Sequence, residues 1–136
     1  MLTGSVNYLA VLVAAAVYFL LGALWYSKLL FANAWMKGIG KTEEQIKEGF
    51  SRMAFLWSFI WSFIAVYGVA RILVWAGGDS AADGFLAGLL IGVCFVLAVF
   101  VINNLFEKRP KGFMLINAFY HVVAFIISGL IIGAWR

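Results

Sequence analysis

Four runs of apolar residues, at about 6–30, 53–75, 84–106 and 113–135, take up nearly all of this 136-residue chain. About 20 apolar residues are enough to cross the hydrocarbon core of a bilayer, and each run reaches that length. A water-soluble domain of this size has too little interior to bury four such segments. The composition agrees: 65% of residues are hydrophobic and 12% charged, against about 45–50% and about 25% in soluble domains. The expected fold is all-α, a polytopic membrane protein in which one compact bundle of four transmembrane helices forms the only domain. A connector over about 37–51 lies at the inner surface.

The formal net charge of +4 does not point to nucleic acid, because the basic residues sit in loops beside apolar runs. The first connection carries Lys28, Lys37, Lys41, Lys47 and Arg52, and the third carries Lys108, Arg109 and Lys111. The second has Asp79 and Asp83 and no basic residue. In a four-span chain the first and third connections share a side, and the excess of Lys and Arg marks that side as cytoplasmic. Both termini are then expected outside. Residues 1–27 hold no Lys or Arg, unlike the basic start of a signal peptide, so the first run is read as a retained helix.

The connections and helix faces carry local signals. Thr42-Glu43-Glu44-Gln45 has the form of a capping box opening a short helix, and Pro110 is placed to stop the third helix. In the second run Trp57-Ser58-Phe59-Ile60 is followed by Trp61-Ser62-Phe63-Ile64. A period of four stacks like residues on one ridge. Ser58 and Ser62 then form a small-residue strip for close helix approach, or alternatively a polar lining. Gly84, Gly88 and Gly92 make a second strip, whose partner is either another helix of the chain or a second copy. Cys94 is the only cysteine, which excludes an intramolecular disulfide and a cysteine-based metal site.

Polar groups at membrane depth are costly and call for an explanation. Asn103 and Asn104 fall in the last turn of the third run, and Asn117 lies one turn into the fourth. His121, the only histidine, lies about 12 Å deep at 1.5 Å per residue. Asn117 and His121 share a face, with Tyr120 beside them. One inward-facing pocket is expected, lined by Asn103, Asn104, Asn117, Tyr120 and His121, with Trp25 and Tyr26 at its rim. The competing reading is that these groups only bond helix to helix. Arg71 is read as reaching the outer surface, pairing with Asp79 or Asp83, or contacting an anion there. No catalytic set is recognised, no metal site is expected around a lone histidine, and no cofactor is implied.

Several segments carry a resemblance. They are Asn7-Tyr8-Leu9-Ala10-Val11, Gly22-Ala23-Leu24-Trp25-Tyr26-Ser27 and Ala34-Trp35-Met36-Lys37, then Asn104-Leu105-Phe106-Glu107-Lys108-Arg109 and Ile116-Asn117-Ala118-Phe119-Tyr120-His121. With them the chain resembles the small membrane family catalogued as domain of unknown function 1761. The resemblance implies a four-helix protein of, mostly, bacterial membranes, hence an inner-membrane location, and carries over no activity. It draws attention to Trp25, Tyr26, Asn104, Glu107, Asn117 and His121. The functional expectation is binding or transport of a small or lipid-like ligand in the inner polar pocket. The alternative is an accessory subunit of a larger membrane complex. The expected partners are the lipid bilayer and either a second copy or a complex subunit.

Overall fold

A computed structural model describes residues 3–136, and no strand occurs among them. Four helices are long and apolar enough to cross a membrane: α1 (Tyr8–Trp25), α4 (Arg52–Ala76), α5 (Ala81–Glu107) and α6 (Lys111–Ala134). Two short helices, α2 (Ala32–Ile39) and α3 (Glu43–Glu48), lie between α1 and α4. The chain is thus an all-α protein of the membrane-spanning class. Its surface is apolar in the way only lipid tolerates: Leu20, Trp61, Leu86, Phe95 and Phe106 are all more than half exposed.

Helix α6 is the centre of the bundle and packs against α1, α4 and α5. The core joins Val11, Ala14 and Tyr18 of α1 to Val66, Val69 and Leu73 of α4 and to Phe125 and Ile132 of α6. Helix α5 docks on α6 through glycine. Gly84, Gly88 and Gly92 are its buried residues. A Cβ on Gly84 would collide with the Gly129 carbonyl, and one on Gly88 would come within 2.8 Å of the Ile126 Cα. The strip considered above for self-association is therefore occupied inside the chain, because only bare backbone lets α5 and α6 approach so closely.

Several helix ends differ from the sequence expectation. Helix α1 stops at Trp25, five residues before the apolar run does, since the chain turns there with the Phe31 amide bonded to the Trp25 carbonyl. Leu29, Leu30 and Phe31 belong to the turn into α2. Helix α5 starts three residues earlier than Gly84, because Ser80 and Asp83 form a capping box at its start. It runs through a π-helical stretch, Ile91–Leu97. It ends at Lys108, which takes the left-handed conformation (φ 55°), so Pro110 is not the stop. Pro110 instead caps the entry to α6, where its missing N–H costs nothing. The Thr42 capping box forms in both directions, at 3.3 Å and 2.9 Å.

The contacts at the two ends fix which connections lie together. Tyr26 reaches Asn117, and Gly38 sits against Phe113, so the first and third connections share one end. Lys28, Lys37, Lys41, Lys47, Arg52, Lys108, Arg109 and Lys111 gather there, and we refer to it as the basic end. At the other end Asn7 caps α1 and donates to the Trp135 carbonyl at 2.9 Å. Arg136 donates to the Leu73 and Gly78 carbonyls at the C-terminus of α4, where a cation meets the negative end of the helix. Arg71 does not pair with Asp79 or Asp83. It donates to the Gly4 carbonyl at 2.8 Å and to the Tyr67 hydroxyl, and lies over the Tyr67 ring. Arg71→Ala should release the segment before α1 at a cost of about 1.5 kcal/mol, the lower range for a charge-assisted bond. Faster amide exchange at residues 4–6 is the readout.

On the basic end, Lys28 and Lys47 both contact Glu43, at 2.9 Å and 3.0 Å. The Lys28 and Lys47 ammonium groups hold the Glu43 carboxyl below its usual range. A carboxylate with a lowered folded value supports the fold above its unfolded pKa, and that support disappears as pH falls through the folded value. Amide protection in α3, taken relative to the intrinsic exchange rate at each pH, is therefore expected to fall on acidification below the usual carboxylate range. Glu43→Gln should remove that pH dependence.

Candidate functional site

The midsection of the bundle is held by a polar seam between α1 and α6. The Tyr18 hydroxyl lies 2.5 Å from His121 Nδ1. Tyr120 donates to the Tyr18 carbonyl at 3.0 Å, Tyr26 donates to Asn117 Oδ1 at 2.8 Å, and the Trp25 indole donates to the Ile116 carbonyl at 2.9 Å. Tyr120 packs edge-on against both Tyr18 and Tyr26, with ring centroids 5.6 Å and 5.5 Å apart. It fits because residue 22 is glycine: a Cβ there would come within 2.8 Å of the Tyr120 hydroxyl. Tyr26→Phe should cost about 0.6 kcal/mol, the average for a hydrogen bond between membrane helices, in a thermal melt in detergent.

The residues expected to share one pocket are divided between three places. Asn103, Asn104 and Asn117 line a cavity of about 300 Å³ at the basic end, with Phe100, Glu107 and Arg109. Asn104 is partly committed there, donating to the Arg109 carbonyl at 3.2 Å. Tyr26 lines a separate hollow of about 290 Å³ against α2 and α3, with Trp35, Lys28 and Glu43. Tyr120 and His121 line a third and larger cleft of about 600 Å³ with Tyr18 of α1 and Trp57, Ser58, Trp61 and Ser62 of α4. Trp25 is taken up by its bond to Ile116. The division follows from the seam, since the Tyr26–Asn117 bond and the Tyr120 ring fill the space that a single pocket would need.

The third cleft exists because α4 leans on α1 and away from α6 in its first half. Phe55 and Phe59 both meet Phe19 edge-on, at 6.1 Å and 6.0 Å. All buried residues of α4 lie from Ser62 onward, so the preceding turns leave one side open. Trp57 and Trp61 stand 53% and 63% exposed along that side. Ser62 donates to the Ser58 backbone carbonyl at 2.7 Å, and Ser58 is exposed on the cleft. His121 lies ten residues into α6, about 15 Å along its axis. Its ring is held among Tyr18, Phe100 and Tyr120, with centroids 4.6 to 5.9 Å away.

The cleft is uncharged, largely aromatic and near the middle of the spans. Its size is within the range of small-molecule sites, about 300–1,000 Å³. Tyr18, Trp57, Ser58 and Trp61 were not among the expected pocket residues. The doubled Trp-Ser tetrad was the sequence signal for Trp57, Ser58 and Trp61. Among the described residues no three His, Cys, Asp or Glu side chains are grouped closely enough to hold a metal ion.

No curated protein and no solved structure matches the chain. A family model does, over residues 9–133, which includes every residue of the seam and the cleft. The chain belongs to the family described as Protein of unknown function (DUF1761).

Proposed function

We propose that this protein binds a small, lipid-soluble ligand in the cleft between α4 and α6, with the basic end facing the cytoplasm. The observation that carries this reading is the cleft itself: about 600 Å³, free of charged side chains, with Tyr18 and His121 at its base and Trp57 and Trp61 at its mouth. A ligand dissolved in the bilayer reaches such a site sideways and needs no aqueous path. Binding is the first requirement of transport, and a carrier would use the same cleft.

Ser58→Trp tests the proposal. Ser58 is exposed, so the substitution should change stability by no more than about 0.5 kcal/mol while filling the cleft. Native mass spectrometry of protein released from mild detergent should show a bound small molecule in the wild type and none in S58W. Equal adducts in both, or none in either, would contradict the reading.

A second reading draws on a different observation. The seam groups largely satisfy one another, and the Trp57/Trp61 ridge is exposed. That combination also suits an accessory subunit whose ridge is covered by another membrane protein. In the same experiment this reading expects a heavier complex containing a second polypeptide.

A further inference from the structure

The hydrogen-bonding character of the cleft narrows the chemistry of its occupant. The Tyr18 hydroxyl has one neighbour able to accept its proton, Nδ1 of His121. If Nδ1 carried the hydrogen, the Tyr18 proton would be left without an acceptor in a buried position, since Tyr18 is 4% exposed. An unmet donor costs about 1–3 kcal/mol where it is buried and less where it is accessible, and in the other neutral tautomer the unmet donor is Nε2–H of His121, which is only half-buried and opens on the cleft. Tyr18 therefore donates, Nδ1 accepts, and the imidazole hydrogen resides on Nε2.

That Nε2–H forms no hydrogen bond among the described residues. Neither do the indole N–H groups of Trp57 and Trp61, which donate only and line the same cleft. The Ser58 hydroxyl adds another donor. Tyr120 already gives its proton to the Tyr18 carbonyl, and Ser62 gives its own to Ser58. The cleft thus offers several free donors and no Lys, Arg, Asp or Glu side chain to its contents. A carboxylate or phosphate entering it would lose its hydration with no cation to replace it. A hydrocarbon would leave the donors unmet. The aromatic walls favour a flat ring that can stack against them.

Resting on the proposed ligand-binding role of this cleft, we infer that its occupant is a neutral, membrane-soluble molecule with carbonyl oxygen on a flat ring, of the quinone type. Its carbonyl accepts from His121 Nε2–H. Its ring lies between His121 and the Trp57/Trp61 ridge, and its tail extends into lipid. Tyr18 is a positioning residue, since it acts on the ligand only through the tautomer it imposes on His121.

The single histidine makes the test direct. Protein labelled with ¹⁵N-histidine in lipid nanodiscs gives imidazole signals from His121 alone. Without ligand, Nε2 should be the protonated nitrogen and Nδ1 the unprotonated one. Decylubiquinone should shift the Nε2–H resonance saturably, decylbenzene should not, and oleate should bind at least tenfold more weakly. Tyr18→Phe should release the tautomer lock, giving mixed nitrogen signals and at least threefold weaker decylubiquinone binding. Ser58→Trp should abolish the shift. A proton on Nδ1 in the wild type would overturn the proposal whatever binds. A saturable response to oleate in preference to decylubiquinone would overturn the ligand class while leaving the cleft a binding site. No saturable response to any probe would overturn the inference and the underlying function together.

Discussion

Replacing Gly88 with leucine is expected to unseat α5 from α6 and to lower the detergent-solubilised melting temperature more than any other single change considered. The new Cβ would meet the Phe125 carbonyl carbon and the Ile126 Cα, both at 2.8 Å. These are backbone atoms, so no rotamer change can make room. Overpacked cores usually lose about 1–3 kcal/mol, and a backbone-on-backbone clash belongs at or above the top of that range. Gly84→Leu should behave alike, since its Cβ falls on the Gly129 carbonyl. Gly68→Leu is the control: a Cβ there meets nothing within 4 Å, so that variant should melt near the wild type. The readout also separates the two uses of a glycine strip. An intrachain strip predicts loss of fold in G88L, whereas a strip between copies predicts a stable protein that has merely lost its partner.

The second large effect is expected at Gly22, which lies on α1 away from the cleft. Gly22→Ala places a carbon within 2.8 Å of the Tyr120 hydroxyl and 3.2 Å of its Cζ. Tyr120 must then move. It would lose its bond to the Tyr18 carbonyl and its edge contacts with Tyr18 and Tyr26. A loss of about 2 kcal/mol is expected, mid-range for overpacking. Because Tyr120 and His121 both line the cleft, ligand affinity should fall as well, by tenfold or more. Tyr120→Phe removes the atom nearest the new Cβ, so the double variant should recover part of the stability lost by G22A. A double-mutant cycle measures that recovery; strictly additive losses would show that Gly22 and Tyr120 are not coupled.

These two sites also show what could be read before the structure. The spacing of Gly84, Gly88 and Gly92 announces a close helix contact, yet not its partner, because Gly129 and Gly133 in the fourth run form an equally suitable strip. Spacing alone cannot rank a neighbour in the chain against a second copy. The Asn117–Tyr120–His121 face was legible as polar and inward. Its division into separate spaces was not, since that depends on how far Tyr26 reaches and on Tyr120 fitting over Gly22, a contact across about a hundred residues of sequence. The end of α1 and the start of α5 differ from the expected bounds for a simpler reason. Hydropathy continues through Leu29-Leu30-Phe31 after the helix has turned, and the Ser80–Asp83 capping box opens α5 three residues before Gly84.

Trp57 and Trp61 were visible as a ridge, and what a ridge faces is a property of the assembled bundle. In the structure they face outward because Phe19, Phe55 and Phe59 draw α4 toward α1. That lean creates the cleft, and the functional account depends on its opening to lipid. Cys94 is the only cysteine, so a Cys94→Ser background accepts one spin label at a time. A label at position 58 in nanodiscs, read by power-saturation EPR against oxygen and a water-soluble nickel chelate, reports the surroundings of the cleft. The account predicts strong relaxation by oxygen and little by the chelate. Strong relaxation by the chelate, or protection from both agents in the protein alone, would contradict a cleft that opens into the bilayer.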